Sequence, residues 1–332
     1  MNVAIFSPQP SAVWVDKPGW ATDGFREAGH SVRRCHDLAD LPAAHRECDL
    51  LLFDQNAAGL QHIDLAISAE RRAWREHNVW ALWQRDLIAS EVGKPLAEQC
   101  TLQTHGRLFK AVDVAFVKER SMLGEYAAIG INARYLDQAS TSDYPKCSHV
   151  ERPEWDVLVF GCTDYKQRRS DVRSLVGAGF RVLWLADVGD LPPGVAGHPW
   201  VHPRDLHEVV SRCGVVLGVD LRSDVPCYTS DRTYLAAGMG ACYVARVEDY
   251  GSDSGSLSPA ADLAAWVYSD QEQLLRIVSQ ALADRDERER RGYASRARVL
   301  AKHTYKHRAE EICGVVESLR GERLAAAAGS VS

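Results

Sequence analysis

The chain has 332 residues, 46% of them hydrophobic and 25% charged, with a formal net charge of -6. That length supports two domains, each with its own core, and the composition is that of a folded globular protein. The acidic balance excludes a surface dedicated to nucleic acid, though not a local basic groove. No run of about 20 apolar residues is present to span a bilayer. No basic segment precedes an apolar one at the start, so no signal peptide is expected. The nine cysteines are scattered and form no CxxC pair. They read as buried, reduced thiols of a cytoplasmic protein.

In chain order, Asn2-Val-Ala-Ile-Phe6 is a strand that stops at Ser7-Pro. A helix over 20–28 and a strand from Gly29 to Arg33 follow. Asp49-Leu-Leu-Leu-Phe53 is a strand closing on Asp54, and Asn78-Val-Trp-Ala-Leu-Trp83 is another closing on Gln84-Arg-Asp86. Between them 61–77 is helical and charged. A helix over 95–109, a strand over 112–116, a helix over 118–128 and a strand over 132–136 complete the first half. The polar stretch 137–153, rich in Ser, Thr, Asp and Pro, reads as a linker.

The alternation then restarts. Strands are expected at 155–160, 180–185, 214–219 and 241–245, with helices at 167–178, 205–212, 230–239 and 271–283. A Pro- and Gly-rich loop fills 189–204. The mixed-charge helix 284–302 reads as a solvated face. Strands alternating with helices mean right-handed βαβ units and parallel sheets. The boundaries expected are 1–150 and 151–320, with a frayed Ala-rich tail at 321–332.

Ligands of such sheets sit beyond the carboxyl ends of the strands. The residues there are Ser7, Asp54, Asp86, Gly161 to Lys166, Asp220 and Thr229 to Arg232. Arg232 stands in the first turn of a helix that Thr229 or Ser230 caps and Gly238 or Gly240 closes. The macrodipole disfavours a cation there. Either it faces a bound phosphate together with free backbone N–H groups, or it pairs with Asp220, Asp224 or Asp231. Phe160-Gly-Cys-Thr-Asp-Tyr-Lys-Gln-Arg-Arg169 also joins a strand to a helix. Gly161 lets a ligand approach the backbone, and Lys166, Arg168 and Arg169 supply cations. The segment is a phosphate cradle or a basic helix start facing water.

No P-loop, GxGxxG or GxSxG occurs. His198, His202 and His207 lie close in sequence, but two prolines break helical pairing, so they read as a loop and no metal site is expected. Asp54 and Asp86 either deprotonate an acceptor hydroxyl or cap the helices that follow.

Ser230-Asp-Arg-Thr-Tyr-Leu-Ala-Ala-Gly-Met-Gly-Ala241 resembles the S-x-R-x-F-E-A-x-A-x-G stretch of glycosyltransferases of the spore-maturation CgeB-like type, relatives of the retaining GT-B family that includes glycogen and sucrose synthases. Gly161 to Arg169 is similar to the family's F-x-G-x-x-x-x-x-R segment. Asp270 to Leu275 resembles its d-x-e-E-L helix, and Arg291 to Arg308 its G…H-T-y-x-x-R ending. The likeness covers 155–315. It implies a GT-B fold, with two Rossmann-like domains facing across a cleft, the first on the acceptor side and the second holding the nucleotide-sugar.

By that resemblance Arg232 and Ser230 face the diphosphate from one side, and Gly161 with Arg169 from the other. The expected substrate-binding set is Gly161, Lys166, Arg169, Asp220, Thr229, Ser230, Arg232 and Thr233, with Asp54 and Asp86 as catalytic carboxylates. The nucleotide-sugar is a substrate, and no cofactor is expected. One position departs. Leu235 stands where the family has a Glu that contacts the ribose, and leucine accepts no hydrogen bond.

Three functions compete. The first is a glycosyltransferase acting on a small molecule, a glycan or a modified DNA base, the last without help from the charge balance. The second is a non-catalytic nucleotide- or sugar-binding module, which Leu235 favours. The third is a sugar-phosphate or nucleotide-sugar epimerase-like enzyme on the same two-domain architecture.

Overall fold

The structure, a computed structural model, describes residues 1–7, 17–36, 38–54, 78–85, 87–88, 90–91, 94–186, 190–221, 225, 228–247 and 259–329. The chain forms two compact units, Met1–Asp137 with Tyr305–Ser332, and Gln138–Thr304. The units do not follow chain order, because the last helix returns to the first.

Unit 1 contains β1 (Asn2–Phe6), α1 (Lys17–Glu27), β2 (Ser31–Cys35), α2 (Leu41–Glu47), β3 (Leu50–Asp54), β4 (Val79–Trp83), α3 (Cys100–Ala111), β5 (Val114–Val117), α4 (Leu123–Ala128), β6 (Ala133–Tyr135) and α11 (Tyr305–Gly329). Its sheet runs β2-β1-β3-β4-β5-β6, all parallel. β3 and β4 are buried at every position, as continuous apolar strands covered on both faces must be. The helix expected over 95–109 begins only at Cys100, after a short 3-10 turn over Leu96–Glu98. The helix expected over 61–77 lies outside the described residues.

α11 is helical as far as Gly329, through most of the stretch read as a tail. Arg320 pairs with Asp49 at 2.9 Å, and Arg323 pairs with Asp113 at 2.5 Å while donating to the Asn78 carbonyl. Those three acceptors lie just before β3, β5 and β4, so two arginines tie the helix to the amino ends of three strands.

Unit 2 contains β7 (Trp155–Phe160), α5 (Lys166–Gly177), β8 (Val182–Leu185), β9 (Ala196–His198), α6 (Leu206–Ser211), β10 (Cys213–Gly218), α7 (Asp231–Met239), β11 (Tyr243–Arg246), α8 (Pro259–Leu263), β12 (Trp266–Tyr268), α9 (Gln271–Ala283) and α10 (Arg285–Lys302). Read from one edge, its sheet runs β9-β8-β7-β10-β11-β12, all parallel. The strand order reverses between β7 and β10, and the ends of those strands are where ligands of open α/β sheets bind. The stretch read as a loop over 189–204 holds β9, an edge strand too short to show a pattern of its own.

The segment read as a linker is part of unit 2. α10 holds it through backbone carbonyls. Arg285 donates to His149 O, Arg288 to Val150 O at 2.7 Å, Arg296 to Tyr144 O and Tyr293 to Cys147 O. A segment without regular structure needs donors for its carbonyls, and the arginines of α10 supply them. The face expected to be solvated is therefore partly turned inward. The eight described cysteines are free thiols. No described helix is long and apolar enough to cross a membrane.

Candidate functional site

Two loops meet at the reversal point of the unit 2 sheet. One leaves β7 through Gly161, and the other leaves β10 through Asp220 and enters α7 at Ser230. Gly161 has φ +118°, a conformation that favours glycine. An added Cβ there would stand 2.9 Å from Arg232 Nη1 and 3.0 Å from Arg168 Nη1. Two guanidinium groups thus converge on a bare stretch of backbone. The Gly161 carbonyl is fixed by the Trp184 indole N–H at 2.9 Å, which keeps the peptide in this pose.

Arg168 and Arg232 play different parts. Arg168 is 1% exposed and lies across the Tyr165 ring at 4.3 Å. It donates to Cys162 O at 2.5 Å and to Val219 O at 2.6 Å. It braces the end of β7 to the end of β10. Burial, and then the like charge of Arg232, pushes its guanidinium well below the ordinary arginine value. Arg232 stands at 3.6 Å from Asp220, a pairing too long for a hydrogen bond. Its Nε has no hydrogen-bond partner among the described residues. Burial works against its charge, but Asp220 and then Asp231 outweigh that and hold it above the ordinary value.

Ser230 caps α7 with extended backbone, yet its hydroxyl makes no cap bond. That hydroxyl is buried and unpaired among the described residues. Its N–H instead donates to Asp220 Oδ1. An unpaired buried hydroxyl, a guanidinium with an unused donor and the start of a nine-residue helix share one place. Each is a donor that burial makes costly to leave unmatched, and an anion would satisfy them together. α7 closes at Gly240, in the left-handed conformation.

Thr229 and Thr233 do not point their hydroxyls outward. Thr229 Oγ1 donates to Asp220 Oδ2 and lies 3.0 Å from Thr233 Oγ1, which lies 2.9 Å from Tyr243 Oη. Both threonines are buried. The sequence-based set had them on the ligand.

Arg169 also differs from expectation. It pairs with Asp190 at 3.1 Å and donates to Asp190 O, while Arg168, one residue earlier, reaches Gly161. On the helix that opens at Lys166, adjacent residues lie about 100° apart, so only one of the two can face the sheet end. Helix geometry allows one of the two and does not say which. Lys166 is exposed at the first position of α5. Leu235 is fully buried in α7. The ribose contact of the resembled family therefore has no counterpart at this position.

In unit 1, Asp54 ends β3 as expected, but it is 1% exposed and pairs with Arg85 at 2.5 Å. Arg85 in turn lies 4.1 Å from the Trp83 ring and 5.6 Å from that of Tyr305. Asp86 lies outside the described residues. Nearby, the buried Glu119 accepts from Ile88 N and from the Tyr126 hydroxyl, and burial pushes its carboxyl up. His198 and His207 set ring nitrogens against the carbonyls of Pro199 and Arg204. Among the described residues no three metal-ligating side chains cluster.

Residues 151–314 match the family described as glycosyl transferase-like. No curated protein matches the chain in sequence. Among solved structures, the chain is similar to HepE of Anabaena in complex with UDP-glucose, at 12% identity and a TM-score of 0.62, over 96% of this chain and 100% of that one. It is similar to T4 phage beta-glucosyltransferase at 12% identity and a TM-score of 0.61, over 95% and 99%. A structure of the DNA-modifying enzyme beta-glucosyltransferase, with and without uridine diphosphoglucose, matches at 10% identity and a TM-score of 0.61, over 96% and 100%. These likenesses show that the fold is GT-B.

Proposed function

We propose that this protein, whose residues 151–314 match the glycosyl transferase-like family, transfers a hexose from a nucleoside diphosphate sugar to an acceptor hydroxyl. The observation that carries this reading is the convergence of Arg232 and Arg168 on Gly161 at the reversal point of the unit 2 sheet. There the diphosphate lies across the Gly161 backbone. Arg232 and Ser230 contact it, and Arg168 holds the two loops at the right separation. As the glycosidic bond breaks, negative charge grows on the leaving diphosphate, and a fixed guanidinium stabilises it without reorganising. UDP-glucose, bound by HepE in its solved complex, is the first donor to test. The likeness of Ser230 to Ala241 to the CgeB-like motif supports reading the chain as a transferase of that type.

In this reading the protein's own cations balance the diphosphate, and no metal is needed. The protein works in the reducing cytoplasm, where its thiols stay free. The acceptor hydroxyl is deprotonated by a carboxylate. Asp54 is buried against Arg85, so we assign that part to Asp86. Asp86→Asn should lower kcat by about 100-fold or more, the scale of a lost general base, with UDP affinity unchanged. Asp54→Asn should act mainly on stability.

The second reading, a binding module without catalysis, rests on the buried Leu235. Slow release of free nucleoside diphosphate from UDP-glucose, with and without EDTA, separates the readings. Release in both conditions supports a metal-independent transferase. Binding without release supports the module, and release only with added Mg2+ overturns metal independence.

A further inference from the structure

Beneath the start of α7 runs a file of buried hydroxyls that ends on Asp220. Its direction follows from counting protons. Asp220, paired with Arg232, is a carboxylate and only accepts. Thr229 Oγ1 donates to Asp220 Oδ2 at 3.3 Å, and this uses its single proton. At the 3.0 Å contact between Thr229 and Thr233 the proton must therefore come from Thr233. At the 2.9 Å contact between Thr233 and Tyr243 it must come from Tyr243. The file runs one way, from Tyr243 through Thr233 and Thr229 to Asp220. All four residues are buried. Burial also pushes the Tyr243 phenol well up, so it keeps its proton across the working pH range. The neighbouring strand makes room for it. A Cβ on Gly218 would stand 1.8 Å from the Tyr243 hydroxyl oxygen.

We propose that Tyr243, through Thr233 and Thr229, is a positioning residue for the diphosphate-binding arginine. It never touches the nucleotide. With Thr229 and Ser230 N–H on its two oxygens, Asp220 is turned so that Arg232 meets it loosely, at 3.6 Å. Arg232 thereby keeps donors for a ligand. If the file is cut upstream, Thr229 is no longer held by its neighbour and donates less firmly to Asp220, and the buried carboxylate turns to the nearest other donor, which is the Arg232 guanidinium. A tight Asp220–Arg232 pair then competes with the diphosphate. Aligned donors in low dielectric also strengthen one another, so removing the last donor weakens the whole file. The inference rests on the diphosphate reading of the preceding section.

The test is nucleotide affinity measured on the full-length protein by calorimetry, with UDP and with uridine as probes. Tyr243→Phe keeps the ring and removes the hydroxyl. We expect UDP affinity to fall about threefold to tenfold and uridine affinity to stay the same. Thr233→Val should do likewise, and Thr233→Ser, which restores a hydroxyl, should recover most of the loss. In an Arg232→Ala background, Tyr243→Phe should cost nothing further, because the residue it positions is gone. Full, additive loss in that background overturns the proposal. So does a Tyr243→Phe protein that melts lower yet binds UDP as the parent does. If Arg232→Ala itself leaves UDP affinity intact, the diphosphate reading fails, and the relay fails with it. If Arg232→Ala loses UDP while Tyr243→Phe does not, the relay alone fails.

Discussion

At the scale of single residues, Arg232 carries two interactions that pull in different directions. It neutralises Asp220 across 3.6 Å, and it keeps an Nε without a partner among the described residues. Arg232→Ala should cost about 2–4 kcal/mol of transition-state binding, the range for one lost charge-stabilising donor. Arg232→Lys should recover only part, since an ammonium cannot replace a planar fork. Melting should fall too, because Asp220 is left buried without its counter-charge. The decisive measurement is UDP affinity per folded molecule, and an unchanged value counts against contact with the diphosphate. Glu119 offers a second residue-scale prediction. Burial raises its carboxyl pKa, while the Ile88 N–H and other partners only partly offset this. A carboxyl raised in the folded state adds stability below its unfolded value, and that stability is lost as pH rises through the folded value. Glu119→Gln keeps an acceptor for Ile88 N–H and removes the charge. Urea unfolding should show the variant at least as stable as the parent at pH 7, with the parent gaining on it as pH falls toward 4.5. Equal losses at both pH values would contradict this.

At the scale of elements, α10 shows what residue type alone conceals. Arg288 and Arg290 look alike in a run of mixed charge. Arg290 faces water and pairs with Glu287. Arg288 is 1% exposed and donates to the carbonyls of Ala281, Leu282 and Val150. Arg288→Met should destabilise unit 2 by about 2–3 kcal/mol, because buried carbonyls lose their donors. Arg290→Met should leave the unfolding midpoint where it was. Equal effects from the two variants would show that the carbonyl contacts carry no weight. The strands were legible because their apolar runs are buried on both faces. The α7 motif was legible because its polar start and glycine end are local signals. The site's interior was not. That Arg168 rather than Arg169 reaches Gly161, and that Thr229 and Thr233 turn inward, depends on how loops from β7 and β10 meet, with Val219 O reached by Arg168 across 51 residues and Asp220 by Thr229 from the far side of its own loop. Asp54 was correctly placed at a strand end, but its partner Arg85 follows a different strand, and no spacing rule links the two.

At the scale of the whole molecule, the chain passes between its units only twice, at 137/138 and at 304/305. In unit 2 the two ends lie side by side, with Ser140 N donating to His303 O and Ser140 bridging Thr304. In unit 1 the cut ends also meet, since Arg308 Nε donates to the Asp137 carbonyl at 3.1 Å. Unit 2 is thus threaded into unit 1 as an insert, and each unit closes on itself. Closing a short gap costs little chain entropy, and units with adjacent ends tolerate being cut out. A fragment of 138–304 should fold alone with a cooperative melt and still bind UDP. A partner gene joining 137 to 305 through a few glycines and serines should yield a second folded protein that does not bind UDP. A molten 138–304 fragment would show that the insert depends on its host. If both fold, the protein is separable into two parts that trade independently, and donor choice can be regrafted by exchanging one cassette between fixed seams.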